Sequence, residues 1–257
     1  MNQTTDVTDV TVMIPALNEE ANLEATVSSV IRARDQVDGL SLEIIIVNDG
    51  STDQTPQLCE QLAQRHDCIR VIHNHTNKGV GTSLRDALQI ATGEKFVIIP
   101  GDNDMSYELI LSLFQNTRKA DLVLCFYLNR EMRGRLRNII SALFGLIYMS
   151  VFNIFVQYIT GPCIYPTSLV RDLKLVSTRF SIPTEITIKL LRKGVTFHEI
   201  PGYMQTGLKG SDSSPLSLKN SWEVITTFLR LVYEIKWAKR HEYSKAPIRQ
   251  VLYVVDP

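Results

Sequence analysis

The most constraining feature of the sequence is the alternation of short apolar segments with amphipathic ones through its first half. The predicted strands are Val10–Ala16, Leu42–Val47, Ile69–His73, Lys95–Pro100 and Asp121–Phe126, and helices are predicted at 18–33, Thr55–His66 and Val80–Ala91. Short apolar strands bounded by turn residues are typical of strands that helices cover on both faces. The alternation therefore predicts an α/β fold with a mostly parallel central sheet.

Polar, turn-forming residues follow three of these predicted strands. The first strand leads into PALNEE, the second into NDGSTD and the fourth into GDND. The carboxyl ends of parallel strands share one edge of the sheet, and ligands bind at that edge. A single loop of this kind is usually turn chemistry, whereas three at one edge indicate a ligand site.

The GDND segment carries two carboxylates, Asp102 and Asp104, on either side of Asn103. On an extended loop, side chains two residues apart point the same way. We therefore expect both carboxylates to face one cation. Oxygen ligands of this kind suit Mg²⁺ or Mn²⁺.

A second glycine-containing segment, NKGVGTSLRDAL, begins at Asn77. Gly79 and Gly81 would let the backbone approach a ligand at a helix N-terminus, where amide N–H groups favour anions. The dinucleotide-binding pattern is excluded, because it needs a glycine where Leu84 stands and belongs after the first strand. No P-loop pattern occurs either.

Composition narrows the range of partners and compartments. The formal net charge of the 257 residues is zero, so we expect no nucleic-acid partner held by bulk positive charge. The four cysteines lack metal-like spacing, which favours reduced thiols in a cytoplasmic protein. The first ten residues have neither the basic nor the apolar region of a signal peptide.

Five segments, in this order and spacing, resemble the motifs of family 2 glycosyltransferases, and most of all the dolichol- and polyprenyl-phosphate sugar synthases. They are IPALNEE, IIIVNDGSTDQT, NKGVGTSLRDAL, ATGEKFVII and GDNDMS. The resemblance implies a GT-A type fold and an inverting, metal-assisted transfer from a nucleotide sugar. It implies one domain over 1–257, with a nucleotide-sugar half at 10–126 and an acceptor half at 127–257.

The resemblance also implies roles for individual residues. The base and ribose would be lined by Pro15, Ala16, Leu17 and Glu19, the nucleobase would meet Asp49, and Lys78 and Gly79 would lie nearby. The metal on the donor diphosphate would be held by Asp102 and by Asp104, a catalytic candidate, with Asn103 between them and Ser106 as a further metal or donor contact.

The acceptor half matches less closely. Arg130 and Arg137 match arginines of the lipid-phosphate relatives, and arginine binds phosphate in a bidentate fork. A solvated basic turn is the alternative, which we favour for Arg133 and Arg135. A lipid phosphate is already an anion near neutral pH, with a second pKa of about 6, so its transfer would need no strong base.

Other residues on this side depart from the family pattern and leave the acceptor open. Gln157 stands at an acidic position, Pro162 and Cys163 replace phenylalanine and arginine, and Lys209 would supply a cation near the diphosphate. Glu185 matches an acidic position and would be a base if the acceptor were a hydroxyl; otherwise it is an ordinary acid in the first turn of a helix.

The candidate acceptors are a polyprenyl phosphate and a sugar hydroxyl of a glycan or lipid-linked oligosaccharide. A catalytically silent nucleotide-sugar-binding module is the third hypothesis.

The segment Ile139–Ile159 is apolar and uncharged over 21 residues, just long enough to span a bilayer. Ser150, Asn153 and Gln157 form a polar stripe at helical spacing, which favours an interfacial helix or hairpin. With the preceding arginines and KWAKR near the end, it predicts peripheral attachment to the cytoplasmic face of a membrane. The alternatives are a core helix pair and burial in a partner subunit of a homo-oligomer.

Overall fold

The computed structural model describes residues 8–132, 134–179, 181–205 and 218–250, without the side chains of residues 137 and 218–221. The strands are β1 (Val10–Ala16), β2 (Leu42–Asp49), β3 (Ile69–Asn74), β4 (Lys95–Ile98), β5 (Leu122–Tyr127), β6 (Cys163–Pro166), β7 (Thr196–Gly202) and β8 (Ile248–Arg249). The helices are α1 (Leu23–Asp35), α2 (Thr55–Arg65), α3 (Val80–Ile90), α4 (Tyr107–Gln115), α5 (Arg135–Phe152), α6 (Thr167–Arg171), α7 (Ile182–Arg192) and α8 (Leu218–Tyr233). A 3₁₀ turn (Arg130–Met132) precedes α5, and a π-helical turn (Glu234–Ala238) follows α8.

The eight strands form one sheet in the order β3-β2-β1-β4-β6-β5-β7-β8. All pairs are parallel except those of β6, which runs antiparallel between β4 and β5. The predicted α/β class and mostly parallel sheet are confirmed. The antiparallel strand was not predicted, because three of its four residues, Cys163 to Tyr165, were assigned to an acceptor-side motif.

The sheet buries apolar side chains on both faces. Along β2, Ile44 and Ile46 enter one core cluster, while Ile45 and Val47 enter the other. This alternation explains why the strand reads as an unbroken β-branched run: both faces are covered by helices.

The apolar segment of the second half differs from its prediction. The helix α5 begins before it, at Arg135, and ends at Phe152, where Asn153 takes a left-handed φ of 50°. The expected helix or hairpin over 139–159 is therefore one helix followed by a loop. A left-handed residue of this kind is a common helix terminator. Within the described ranges, no helix is both long enough and apolar enough to cross a membrane.

Candidate donor and acceptor site

The loops after β1 and β2 are interlocked at the carboxyl edge of the sheet. Asn18, at a left-handed φ of 58°, accepts the N–H of Thr52 at 2.8 Å and donates its own N–H to Ser51 Oγ at 2.9 Å. The N–H of Glu19 donates to Thr55 Oγ1 at 2.8 Å. The polar residues that end the second strand thus fix the loop that follows the first.

The buried carboxylate of Asp49 fastens a third loop to this edge. Its Oδ1 accepts the Asn74 side-chain amide and the Lys78 N–H, both at 3.0 Å, and its Oδ2 accepts the Gly79 N–H at 2.8 Å. A carboxylate has about four acceptor positions, so one remains. Contact between Asp49 and a nucleobase stays a prediction, and the structure adds a second role for this residue in holding the loop.

The glycines of the loop after β3 leave room for the protein's own backbone, whereas the sequence predicted that a ligand would lie beside them. A Cβ at Gly79, whose φ is 87°, would lie 2.6 Å from Thr178 O, and the N–H of Gly81 donates to the same oxygen at 3.0 Å. Similarly, a Cβ at Gly50 would lie 2.6 Å from the carbonyl carbon of Thr76. Contact between Gly79 and the donor remains a prediction.

The acidic loop after β4 is a turn, in contrast to the extended segment predicted for it. Asn103 adopts a left-handed φ of 58°, which asparagine tolerates better than most residues. The N–H of Asp104 donates to Asp102 Oδ1 at 3.2 Å. The turn, and not strand-like alternation, therefore brings the two half-buried carboxylates into each other's field.

Burial, together with neighbouring negative charges, disfavours the ionised form of two carboxylates at this edge. Burial raises the pKa of Asp102, and the charge of Asp104 adds to that rise. Burial likewise raises the pKa of Glu19, with contributions from the charges of Asp102 and Asp53. A cation would relieve this repulsion, and carboxylate oxygens suit Mg²⁺ or Mn²⁺. In the described part of the chain, no three acidic, histidine or cysteine residues form a complete metal site, so other ligands would have to join Asp102 and Asp104.

The remaining donor-side candidates lie at or after the carboxyl ends of β1, β3 and β4. Pro15 accepts the N–H of Gly101 at 3.1 Å, Ala16 is buried, and Leu17 is exposed. The exposed Lys78 donates from Nζ to Asn74 Oδ1 at 2.9 Å. Ser106 is the N-cap of α4, because its hydroxyl accepts the N–H of Leu109 at 3.2 Å. This bond gives Ser106 a structural role that does not need a metal.

On the acceptor side, Arg130 begins the 3₁₀ turn, three residues after the end of β5. Its guanidinium lies 4.5 Å from the centre of the Tyr158 ring, and Tyr158 packs edge-on against Tyr127 with 6.0 Å between the ring centroids. Such stacking is typical of arginine and leaves its N–H groups at the ring edge for other partners. The side chain of Arg137 and the whole of Lys209 lie outside the described residues.

The candidate base Glu185 is occupied inside the fold, which contradicts its predicted catalytic role. It is 0% exposed and accepts the N–H groups of Val176 and Ser177. Lys189 Nζ lies 2.8 Å from Glu185 Oε1 and 2.8 Å from Glu234 Oε2. A carboxylate enclosed in this way cannot reach an acceptor hydroxyl, so the structure assigns Glu185 to a buried ion-pair network.

The helices α5 and α8 pack together through aromatic rings and expose apolar stripes. The rings of Tyr148 and Phe228 lie 4.9 Å apart, and those of Phe144 and Tyr148 lie 4.1 Å apart. The exposed stripes consist of Leu136, Ile139, Ile140, Leu143, Leu146 and Ile147 on α5, and of Trp222, Ile225, Leu229 and Tyr233 on α8. The segment is divided between the alternatives: Tyr148 and Phe152 belong to a core cluster, whereas the apolar stripe of α5 faces solvent.

Sequence reasoning missed several residues that build the site. Asn74 stands at the carboxyl end of β3, so the edge rule that singled out the other loops could have found it. Thr178 gave no local signal, because it meets the loop at Gly79 only through contacts that are distant in sequence. Asn129 and Met204 gave none either, because they bind each other across 75 residues.

The sequence is similar to those of known proteins. Residues 11–177 match the family described as Glycosyl transferase family 2. The glycosyltransferase GlyG of Streptococcus pneumoniae is 27% identical over 124 residues, which are 48% of this chain and 40% of that protein. A dolichol-phosphate mannosyltransferase of Pyrococcus furiosus is 26% identical over 240 residues, which are 89% of this chain and 64% of that protein. The chain thus spans less than two thirds of each of these relatives.

The fold also matches a solved structure. Glucosyl-3-phosphoglycerate synthase from Mycobacterium tuberculosis, in complex with Mn²⁺, UDP-glucose and phosphoglyceric acid, gives a TM-score of 0.63 at 20% identity over 88% of this chain and 80% of that one. This similarity confirms the predicted GT-A type fold. Because the family match covers more than half of the sequence, including the loops of the carboxyl edge and the acidic turn, the chain belongs to glycosyl transferase family 2.

Proposed function

We propose that this protein is an inverting, metal-dependent glycosyltransferase that moves a hexose from a nucleotide sugar to a polyprenyl phosphate. The observation that carries the proposal is the single sheet edge shared by the loops after β1, β2 and β4, where Asp102 and Asp104 stand. The fold match to a synthase solved with Mn²⁺ and UDP-glucose supports a nucleotide-sugar donor. We infer one domain over residues 1–257, since strands from both halves share one sheet.

Asp102 and Asp104 would hold Mg²⁺ or Mn²⁺ against the donor diphosphate. When bound, that ion would offset the charge that grows on the leaving nucleoside diphosphate. The remaining donor contacts are proposed at Pro15, Ala16, Leu17, Glu19, Asp49, Lys78, Gly79, Asn103, Ser106 and Lys209. Asp49 retains one acceptor position for a nucleobase N–H, and the interlocked loops keep that position fixed before the donor arrives.

The acceptor phosphate would bind at Arg130, with Arg137 as its proposed partner. Because Arg130 is stacked on Tyr158, its fork of N–H donors is already oriented, which lowers the entropy lost on binding. A phosphate oxygen attacks the anomeric carbon without giving up a proton first. Enclosure of Glu185 therefore does not impede this reaction, whereas it removes the base that a hydroxyl acceptor was expected to use.

The apolar stripes of α5 and α8 support attachment to a membrane that carries the lipid acceptor. Exposed apolar surface of this extent on packed helices marks an interaction site. The exposed cations Arg135, Lys236 and Arg240 flank these helices, and basic residues beside an apolar helix face suit anionic headgroups. We propose that the protein lies on the cytoplasmic face of a membrane, with the stripes toward the lipid.

The proposal is tested by incubating the purified protein with Mn²⁺, a panel of nucleotide sugars and a panel of polyprenyl phosphates, and identifying products by mass. We expect a glycosyl polyprenyl phosphate with inverted anomeric configuration. Arg130→Ala should lower transfer by about 100-fold, since a charge-assisted phosphate contact is lost, while nucleotide binding persists. Arg65→Ala, which removes an exposed arginine at the end of α2, is the control and should retain transfer.

Other outcomes favour the alternatives. Wild-type transfer in Arg130→Ala would remove the polyprenyl phosphate from that site. Transfer to glycans alone would indicate a hydroxyl acceptor. Absence of turnover, together with unchanged nucleotide affinity in Asp104→Ala, would indicate a silent binding module.

A further inference from the structure

A short backbone segment, residues 202–205, connects the acidic loop to the acceptor side. At one end, the N–H of Gln205 donates to Asp104 O at 3.1 Å. Beside it, Met204 forms an antiparallel bridge with Met105. At the other end, Gly202 O accepts the N–H of Leu128 at 2.9 Å. The segment is thus hydrogen-bonded on one side to the acidic loop and on the other to the chain just after β5.

The side chain of Asn129 completes this connection. Its Oδ1 accepts the N–H of Met204 at 2.9 Å, and its Nδ2 donates to Met204 O at 3.0 Å. A side-chain amide carries both a donor and an acceptor, so Asn129 pairs with Met204 as the backbone of a neighbouring strand would. Met204 is 6% exposed, which shields both bonds from water and makes their loss costly.

Asn129 immediately precedes Arg130, the proposed acceptor ligand. The carbonyl of Arg130 accepts the Asn138 side-chain amide at 2.7 Å, so this backbone is held from α5 as well. The chain of bonds therefore runs from Asp104 through Gln205 and Met204 to Asn129, and from there covalently to Arg130.

We propose that Asn129 is a positioning residue for glycosyl transfer: its paired bonds to Met204 set the placement of Arg130 relative to Asp104. This inference rests on the proposed function. Transfer between two bound substrates depends on the alignment of the attacking oxygen with the anomeric carbon, and a displacement of about 1 Å can cost about 100-fold in rate. Loosening the 202–205 segment should lower kcat while each substrate still binds to its own half of the site.

The test compares Asn129→Ala with Asn116→Ala. Asn116 also donates its side-chain amide to a backbone carbonyl, that of Ser112 at 2.7 Å, but it lies at the end of α4. We expect Asn129→Ala to lower kcat for transfer by about 10- to 100-fold, with KM for donor and acceptor within about twofold of wild type. The Met204 amide should exchange with deuterium faster in Asn129→Ala and at the wild-type rate in Asn116→Ala.

A second variant guards against misfolding. Asn129→Ser keeps a group that can both donate and accept, and should give an intermediate kcat. Wild-type kcat in Asn129→Ala despite faster Met204 exchange would overturn the inference, and so would a loss confined to KM. These outcomes differ from failure of the proposed function, which appears in the wild-type protein as absence of transfer to polyprenyl phosphate. If the wild type transfers to a hydroxyl, the same kcat comparison is made on that acceptor.

Discussion

The loops at the carboxyl edge of the sheet, here called the donor edge, differ from the helices α5 and α8 in whether their surface groups have partners within the described structure. At the donor edge, loop side chains bind backbone N–H groups of neighbouring loops, as Asn18 does with Thr52 and Asp49 with Gly79. On α5 and α8, residues such as Leu143 and Trp222 are 54% and 69% exposed. In the first region the described loops bind one another, whereas the second leaves apolar surface that a further surface would cover.

This difference shows which part of the site is preorganised. Loops tied to one another lose little freedom when a ligand binds, so the donor edge can bind without large rearrangement. Burying one large apolar side chain contributes roughly 1.5–3 kcal/mol, so the exposed stripes hold a substantial driving force for docking. The expected behaviour is a donor site that works in solution and an acceptor site that depends on a surface.

The largest expected effect comes from neutralising a carboxylate at the donor edge. Asp104→Asn removes a carboxylate from the acidic loop and should lower metal-dependent transfer by about 1000-fold, because the charge on the leaving group is no longer offset. The measurement is kcat with Mn²⁺ at saturating donor. Asp38→Asn, which neutralises an exposed carboxylate in another loop, is the control. Full activity in Asp104→Asn would remove the acidic loop from the chemistry.

The next effect distinguishes a structural role of Glu185 and its ion-pair partners from a catalytic one. Lys189→Met removes the cation shared by Glu185 and Glu234, leaves the buried Glu185 carboxylate without it, and should lower the free energy of unfolding by about 3–5 kcal/mol. Urea unfolding measures this loss, with the exposed Lys119→Met as control. Glu185→Gln should change kcat of the folded fraction by less than about twofold. A well-folded Glu185→Gln protein without transfer activity would restore Glu185 as a base.

The smallest expected effect tests whether the exposed apolar stripes of α5 and α8 bind a membrane. Leu143→Glu or Leu229→Glu places a charge on an apolar stripe and should weaken binding to anionic vesicles by about tenfold, while hydrolysis of the donor in solution is unchanged. Co-sedimentation with vesicles measures the binding. Gln64→Glu adds the same charge on the exposed side of α2 and is the control. If Leu143→Glu binds vesicles normally but dissociates a dimer, the stripe is an interface between copies of the chain.

The strands and the polar edge could be predicted because their causes are local. The run from Leu42 to Val47 is β-branched and buried on both faces, and Asn48 and Asp49 extend it by two residues. The acidic loop was also placed correctly, since it follows a strand of the parallel sheet. The conformation of the acidic loop was not predicted, because the left-handed φ of Asn103 depends on a turn that the pattern does not specify.

The acceptor half was less predictable because its contacts are distant in sequence. The antiparallel β6 pairs with β4, about 70 residues earlier in the chain. Glu185 had the position of an active-site acid, yet Lys189 and Glu234 enclose it. The apolar run from Ile139 predicted a helix, which the structure shows, although that helix ends at Phe152, where Asn153 is left-handed. Its placement at a membrane interface stays a prediction.

By itself, the sequence determined the α/β alternation, the family and the residues that stand at the carboxyl edge, because hydrophobic periodicity and turn chemistry act over a few neighbouring residues. Only the tertiary structure decided that Glu185 is an ion-pair partner, that Thr178 fills the space beside Gly79, and that Asn129 links Arg130 to Asp104. Burial and hydrogen bonding between segments tens of residues apart depend on how the sheet and its helices pack, and no local pattern records that packing.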